Sequence, residues 1–251
     1  MLAIWLKMLP VIFPAVCIAV GAVTGMVIML VPGVLKAKYG ANEMVTSLMM
    51  NNILLGVGLY LLNNMMRDPK VASLVSYRKN ALLANLVPGT RIHAGFLIAL
   101  ACAVLVYIFM FKSKWGYEIR MTGNNAKFAS YSGINVTRVI IIVHVVAGAV
   151  AGAGGLIECI GMHKRIEWAA LPGYGFDGAM IAMLAGNHPI GVIGAAFFVS
   201  YLRIGADLVN RSSDIPTEMI AILQSIIILL ISAERFLHKY RQNWIEKEAK
   251  A

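Results

Sequence analysis

Long runs of uncharged, mainly apolar residues dominate this chain, and they leave few folds open to it. Residues 8–31 and 94–111 contain no Asp, Glu, Lys or Arg, and residues 139–157 contain one ionisable side chain, His144. About 20 apolar residues in a helix, at about 1.5 Å per residue, cross the ~30 Å hydrocarbon core of a bilayer. Backbone groups in lipid must bond within their own segment. The sequence therefore predicts an all-α, polytopic transmembrane helical bundle.

Composition and charge agree with a membrane protein. Hydrophobic residues make up 59% and charged residues 14% of the chain, whereas a soluble domain carries about 25% charged residues. The net charge of +10 comes from Lys and Arg in the connections and the tail, where lipid headgroups account for them. We therefore expect a lipid membrane and no nucleic acid as a partner.

Cys17, Cys102 and Cys159 lie far apart in apolar surroundings, so no metal site is expected.

Glycines predict close contacts between helices. Gly21 and Gly25 form a GxxxG pair in the first span, and four glycines within residues 148–155 give the fourth span a face of very small residues. Such faces allow two helix backbones to approach closely. Pro32 and Gly33 are expected to end the first span.

Amide side chains lie well inside two predicted spans. Asn51 and Asn52 belong to the second span, residues 44–66, and Gln224 belongs to the last, residues 215–233. Because amides are costly to bury in lipid, they should face other helices or an aqueous path. Interhelical hydrogen bonding and contact with a solute both stay open.

A break interrupts the apolar sequence between residues 176 and 209. The run 176–185 is too short to cross a bilayer, and residues 186–189, Gly-Asn-His-Pro, separate it from the run that follows. Such breaks are tolerated where they are buried in protein or line a cavity. The element is therefore either broken or re-entrant, or a pair of helices joined by an ordinary tight turn.

A long polar segment, residues 116–138, separates the third span, residues 94–111, from the fourth, residues 139–157. It contains the pattern Gly-x6-Gly-x-Asn-x3-Ala-x3-Gly-Ile-x-Val, which resembles the cytoplasmic coupling segment of bacterial ABC importer permeases of the ribose, branched-chain amino acid and nucleoside class. Residues 42–51, 173–179 and 215–224 look like blocks of the nucleoside and simple-sugar branch, in the same order. On its residues alone, the polar segment would be interpreted as a solvated amphipathic loop.

The resemblance implies a transport channel driven by a separate ATPase, built as a single transmembrane permease domain over residues 1–251 that lacks the family's first spans. No Gly-x4-Gly-Lys-Ser/Thr motif occurs in the chain, so no cofactor is expected here and ATP would bind a partner. The implied partners are an ATP-binding cassette subunit, a second permease subunit and an extracytoplasmic solute-binding lipoprotein. The chain would be a multi-pass protein of the bacterial cytoplasmic membrane that imports nucleosides or related sugar-containing solutes.

Two groups of residues are candidate sites under this resemblance. Gly123 and Gly133 would supply turns between short surface helices, and closure of the ATPase would tilt the attached spans. Phe176 would stack on a base or a sugar ring, or pack as an ordinary aromatic residue. The ATPase-coupling group is Gly116, Glu118, Arg120, Gly123, Asn124, Asn125, Lys127, Ala129 and Gly133. The solute-path group is Asn51, Asn52, Glu158, Phe176, Asp177 and Gln224.

Charge alone does not orient the chain, because Lys and Arg are divided almost evenly between its two sides. We place the polar segment, the loop 36–43 and the C-terminal tail together on the cytoplasmic side, since the resemblance requires it.

Two other classes of function stay open. An ATP-independent channel or secondary carrier would suit the broken element, but it would leave the polar segment unexplained. A membrane-embedded enzyme would draw on His144, Glu158, His163 and Asp177, yet the chain has no His-Glu-x-x-His or Gly-x-Ser-x-Gly motif. A neighbouring gene that encodes a P-loop protein would separate these classes.

Overall fold

The computed structural model describes residues 12–66, 92–162 and 173–212, together with positions 83, 86, 89 and 226. The elements in these ranges are helices: α1 Ile12–Tyr39, α2 Glu43–Leu61 with a π-helical turn Leu62–Met66, α3 Gly95–Lys112, α4 Lys114–Asn124, α5 Ala126–Tyr131, α6 Val136–Gly161, α7 Tyr174–Leu184 and α8 Pro189–Ser212. The predicted last span lies outside the described residues except for Ile226, and so do Gln224 and His163.

Five helices of the described part are long and apolar enough to cross a membrane: Phe13–Tyr39, Glu43–Asn64, Gly95–Lys112, Val136–Gly161 and Pro189–Ala206. Little of their surface is buried within the chain, so most of their apolar side chains point outward, as a lipid environment requires. The predicted all-α, polytopic bundle is confirmed, and the chain is a multi-pass membrane protein.

The chain divides into two compact units, Met1–Pro172 and Gly173–Ala251. The first unit contains α1–α6 and the second contains α7 and α8.

Helices α1 and α6 form the main packed pair of the first unit, and their glycines make the contact. Gly21 faces Gly152, and Gly25 faces Gly148. A Cβ atom added to any of the four would lie less than 3.0 Å from the backbone carbonyl oxygen of the facing glycine. The two predicted small faces therefore pack against each other, and no other residue type allows this approach.

Helix α1 continues past the point where we expected it to end. Pro32 and Gly33 lie inside α1, which runs to Tyr39. Pro32 is among the most completely buried residues of the described chain, and a Cβ on Gly33 would meet the Cβ of His144 at 2.8 Å. Packing against α6 thus holds this stretch helical, because neighbouring helices offset the hydrogen bond that a proline removes.

The glycine contacts show that α1 and α6 are antiparallel. Contacts move from Gly152 to His144 on α6 as the chain advances from Gly21 to Gly33 on α1. The end of α1 therefore lies near the start of α6, and the turn between α1 and α2 shares one end of the pair with the polar segment. Across that turn Lys36 forms an ion pair with Glu43.

A second glycine contact marks the opposite end of α6. The imidazole of His93 lies against Gly161 of α6 and Gly95 of α3, and its Nδ1 accepts a hydrogen bond from the Gly95 N–H at 3.1 Å. The start of α3 is therefore joined to the end of α6, away from the polar segment.

In the second unit, α7 and α8 are separated by a tight turn. The N–H of Gly186 donates to the carbonyl of Met183 at 3.0 Å, and that of Asn187 donates to Ala182 at 2.8 Å. Both Gly186 and Asn187 have positive φ, so this is a Schellman helix end. Helix α7 has 11 residues and is about 16 Å long, roughly half the thickness of a bilayer core.

Substitutions of glycine by alanine are expected to have opposite effects on the two faces of α6. Gly148→Ala places a methyl group against the backbone of α1 and should destabilise the protein by about 1–3 kcal/mol. Gly154→Ala is the matched control. A Cβ there meets no atom of the described residues within 4 Å, so alanine should stabilise the helix by roughly 0.5–1 kcal/mol. Thermal unfolding in detergent would measure both, and a shift of the same sign for both variants would contradict the interface.

Cysteine labelling in membrane vesicles tests which ends of the helices lie together. In a variant without the natural cysteines, Tyr39→Cys and Asn124→Cys should react with a membrane-impermeant maleimide from the same side. Met162→Cys, at the other end of α6, should react from the opposite side. Labelling of positions 39 and 124 from different sides would overturn the antiparallel arrangement.

Candidate functional site

The polar segment begins with a sharp turn from α3 into α4. Ser113 ends α3 and caps α4, where its Oγ accepts a hydrogen bond from the Gly116 N–H at 3.0 Å. A Cβ on the buried Gly116 would lie less than 3.0 Å from the carbonyl oxygens of Phe109 and Met110. Glycine is therefore required at this position to bring the start of α4 against the end of α3.

Asn125 makes the break between α4 and α5. Its backbone is extended, with φ −155° and ψ 101°, and its Oδ1 accepts a hydrogen bond from the Phe128 N–H at 3.0 Å. The same residue ends α4 by donating its N–H to the Met121 carbonyl. The prediction that Gly123 supplies this turn is wrong: Gly123 lies within the last turn of α4, because an asparagine N-cap starts the next helix without it.

Gly133 ends α5, as predicted. Its φ is +80°, its N–H donates to the Ser130 carbonyl at 3.1 Å, and the following Ile134 N–H donates to Ala129 at 3.0 Å. This is a Schellman motif, for which glycine is favoured at the position of positive φ. Ala129 is fully buried beneath the turn, and Asn135 then caps α6.

Two arginines of the polar segment pack back on the helices that carry it. The guanidinium of Arg120 lies 4.9 Å from the ring centre of Phe111, and that of Arg138 lies 5.0 Å from the ring centre of Trp115. These cation–π contacts tie α4 to the end of α3 and to the start of α6. Arg120 and Glu118 are half-buried, so they are less available to a partner than we expected.

The outer surface of the polar segment is formed by α5 and its junction with α4. Asn124, Asn125 and Lys127 are exposed there. Phe128 and Tyr131, which the sequence analysis missed, are 55% and 89% exposed. They lie three residues apart and therefore share one face of α5, while Ala129 faces inward. The sequence signal for Phe128 and Tyr131 was the presence of aromatic residues in an otherwise polar segment.

The solute-path candidates of the first unit lie on two helices. Asn51 and Asn52 are exposed on α2, where the Asn52 amide donates to the carbonyl of Leu48 in its own helix at 3.0 Å. Glu158 is half-buried near the end of α6, on the side away from the polar segment. Their part in a solute path stays a prediction.

In the second unit, Asp177 of α7 pairs with Arg203 of α8. The distance from Arg203 Nη2 to Asp177 Oδ1 is 2.5 Å. Phe176, the residue before Asp177, is 65% exposed. Arg203 was missed by the sequence analysis. A single charge within the apolar run of α8 indicates a polar partner, but only the folded hairpin identifies that partner as Asp177.

Among the described residues, no three His, Cys, Asp or Glu side chains are grouped as metal ligands would be. Cys17 and Cys159 are buried, where a thiol packs as a small hydrophobic side chain.

Comparison with known proteins finds relatives that are named as ABC transporter permeases. The family described as the permease component of the branched-chain amino acid transport system matches residues 1–232. The glucose ABC transporter permease protein TsgB13 of Haloferax volcanii is 32% identical over 93% of this chain and 63% of its own length. The guanosine ABC transporter permease protein NupP of Bacillus subtilis is 34% identical over 81% of this chain and 60% of its own length.

A third relative, the nucleoside ABC transporter permease protein NupB of Lactococcus lactis, is 30% identical over 86% of this chain and 62% of its own length. The chain thus spans about three-fifths of the length of these curated relatives. No solved structure matches it. The match over residues 1–232 and the agreement among the relatives lead to one conclusion: the chain belongs to the permease family of the branched-chain amino acid transport system.

Proposed function

We propose that this chain is a permease subunit of an ATP-driven importer for nucleosides or related sugar-containing solutes. Family membership and the printed functions of the relatives support the class of solute. In this proposal the whole chain acts as one transmembrane permease domain in a bacterial cytoplasmic membrane. It acts with a second permease subunit and an extracytoplasmic solute-binding lipoprotein, and it performs no catalysis of its own.

The observation that carries the proposal is the form of the polar segment. A solvated loop has no need of two capped helices, yet here Ser113, Asn125 and Gly133 set the bounds of α4 and α5. The resulting α5 presents Phe128 and Tyr131 outward. Exposed aromatic side chains on a rigid helix are typical anchors in a protein interface.

The partner for this surface is the ATP-binding cassette subunit. Lys127, Asn124 and Asn125 surround the two aromatic side chains with polar groups, which gives the apolar centre and polar rim of a protein interface. Helix α4 follows α3 directly, and only four residues separate α5 from α6. Movement of the docked ATPase therefore passes to two membrane spans, α3 and α6, at once. Such coupling shifts the equilibrium between inward-facing and outward-facing states.

An ATP-independent carrier is less well supported. It would use the helix pair α7–α8 equally well, but it would give no role to the outward aromatic face of α5.

The expected partner can be tested by co-purification with an ATP-binding cassette subunit from the same organism. Phe128→Ala with Tyr131→Ala should reduce the ATPase recovered by roughly tenfold or more, because each interface anchor contributes over about 1 kcal/mol. Tyr60→Ala is the matched control: Tyr60 is 66% exposed on α2, outside the polar segment, and its loss should leave recovery unchanged.

The same preparations should be reconstituted in proteoliposomes and tested for ATP-dependent uptake of guanosine, uridine and glucose. Equal recovery of ATPase with the double variant and with Tyr60→Ala would contradict docking at α5. Uptake that proceeds without ATP would contradict the importer itself.

A further inference from the structure

The ion pair between Asp177 and Arg203 is the most unusual polar feature of the second unit. Arg203 carries the only charge in the candidate span Pro189–Ala206, and Asp177 carries the only charge in α7. Charges inside membrane spans are rare, face a protein interior or an aqueous cavity, and typically belong to a substrate or ion pathway.

The pair retains hydrogen-bonding capacity. A guanidinium has five N–H donors and a carboxylate has two acceptor oxygens, but the described part of the chain shows one bond between them, from Nη2 to Oδ1. The side chains of Asp177 and Arg203 are 23% and 43% exposed. An acceptor and several donors are therefore presented side by side.

The hairpin does not depend on this pair alone to hold its two helices together. The turn is closed by the backbone bonds of Gly186 and Asn187, and Val199, one helical turn before Arg203, is buried. An ion pair kept beside these contacts, with most of its hydrogen-bonding groups unused by the described residues, is suited to a ligand as well as to packing.

The arrangement fits a neutral solute that carries neighbouring hydroxyl groups. Each hydroxyl both donates and accepts, so a vicinal diol can bond to the carboxylate and the guanidinium together. The pair has no net charge, and a neutral solute binds it without leaving either charge uncompensated. Phe176, the residue before Asp177 in α7, has an exposed ring, which offers an apolar face for a base or a sugar ring.

We propose that Asp177 and Arg203, with Phe176 beside them, form a contact site for the vicinal hydroxyls of a sugar-containing solute, and that Arg203 is a specificity-determining residue of the transporter. This inference rests on the proposed function and assigns the part of the solute that the second unit recognises.

The test compares guanosine with 2′,3′-dideoxyguanosine in the complete transporter reconstituted in proteoliposomes. The wild type should take up guanosine roughly ten- to hundredfold more efficiently, because the dideoxy compound leaves hydrogen bonds to charged groups unmade. Asp177→Asn and Arg203→Gln should each bring this ratio close to one. Lys36→Gln with Glu43→Gln removes the ion pair between α1 and α2 and is the matched control; its ratio should equal that of the wild type.

The ratio separates recognition from a structural role. A pair that only holds α7 against α8 would, when altered, lower uptake of both nucleosides by the same factor, and an unchanged ratio in both Asp177→Asn and Arg203→Gln would overturn the proposal. An equal response of the wild type to the two nucleosides would also overturn it while leaving the importer intact. Absence of ATP-dependent uptake of guanosine, uridine and glucose in the wild type would instead overturn the proposed function, and this inference with it.

Discussion

The contact between two glycine pairs on α1 and α6 is the constraint on which the first unit depends. Lipid chains are as apolar as leucine, so burial of hydrophobic surface does little to hold membrane helices together. Short-range dispersion forces hold the helices together instead, and they require the two backbones to approach closely, with no side chains between them. Gly21, Gly25, Gly148 and Gly152 provide this along about one turn of each helix.

The same contact determines which segments lie at each end of the α1–α6 pair. Because α1 and α6 are antiparallel, the turn after α1 and the polar segment before α6 lie at one end, while the His93 contact with Gly161 lies at the other. The polar segment is then built on fixed supports at both of its own ends. Arginines stacked on Phe111 and Trp115 attach it to α3 and α6, which leaves α5 as its outward surface. Rigid attachment is what the proposed coupling role requires, since a loose loop would absorb the motion of a partner.

The membrane spans and the turn at Gly133 could be predicted from sequence because each depends on residues close together in the chain. Uncharged runs define spans, and Gly133 occupies a position of positive φ that favours glycine. Predictions failed where packing or capping decides the local structure. The stretch around Pro32 stays helical because its neighbour Gly33 packs against α6. Asn125 rather than Gly123 breaks the helix because its side chain caps α5. Arg203 was missed since its partner lies 26 positions away, a pairing that only the hairpin reveals.

The central claim is that α5 docks on an ATPase, and photo-crosslinking in native membranes tests it most directly. A photoreactive amino acid in place of the exposed Lys127 should crosslink to a P-loop ATPase that mass spectrometry identifies. The same amino acid in place of Tyr60 on α2 should not. Recovery of lipid alone from position 127, or the same ATPase from both positions with equal yield, would contradict the account.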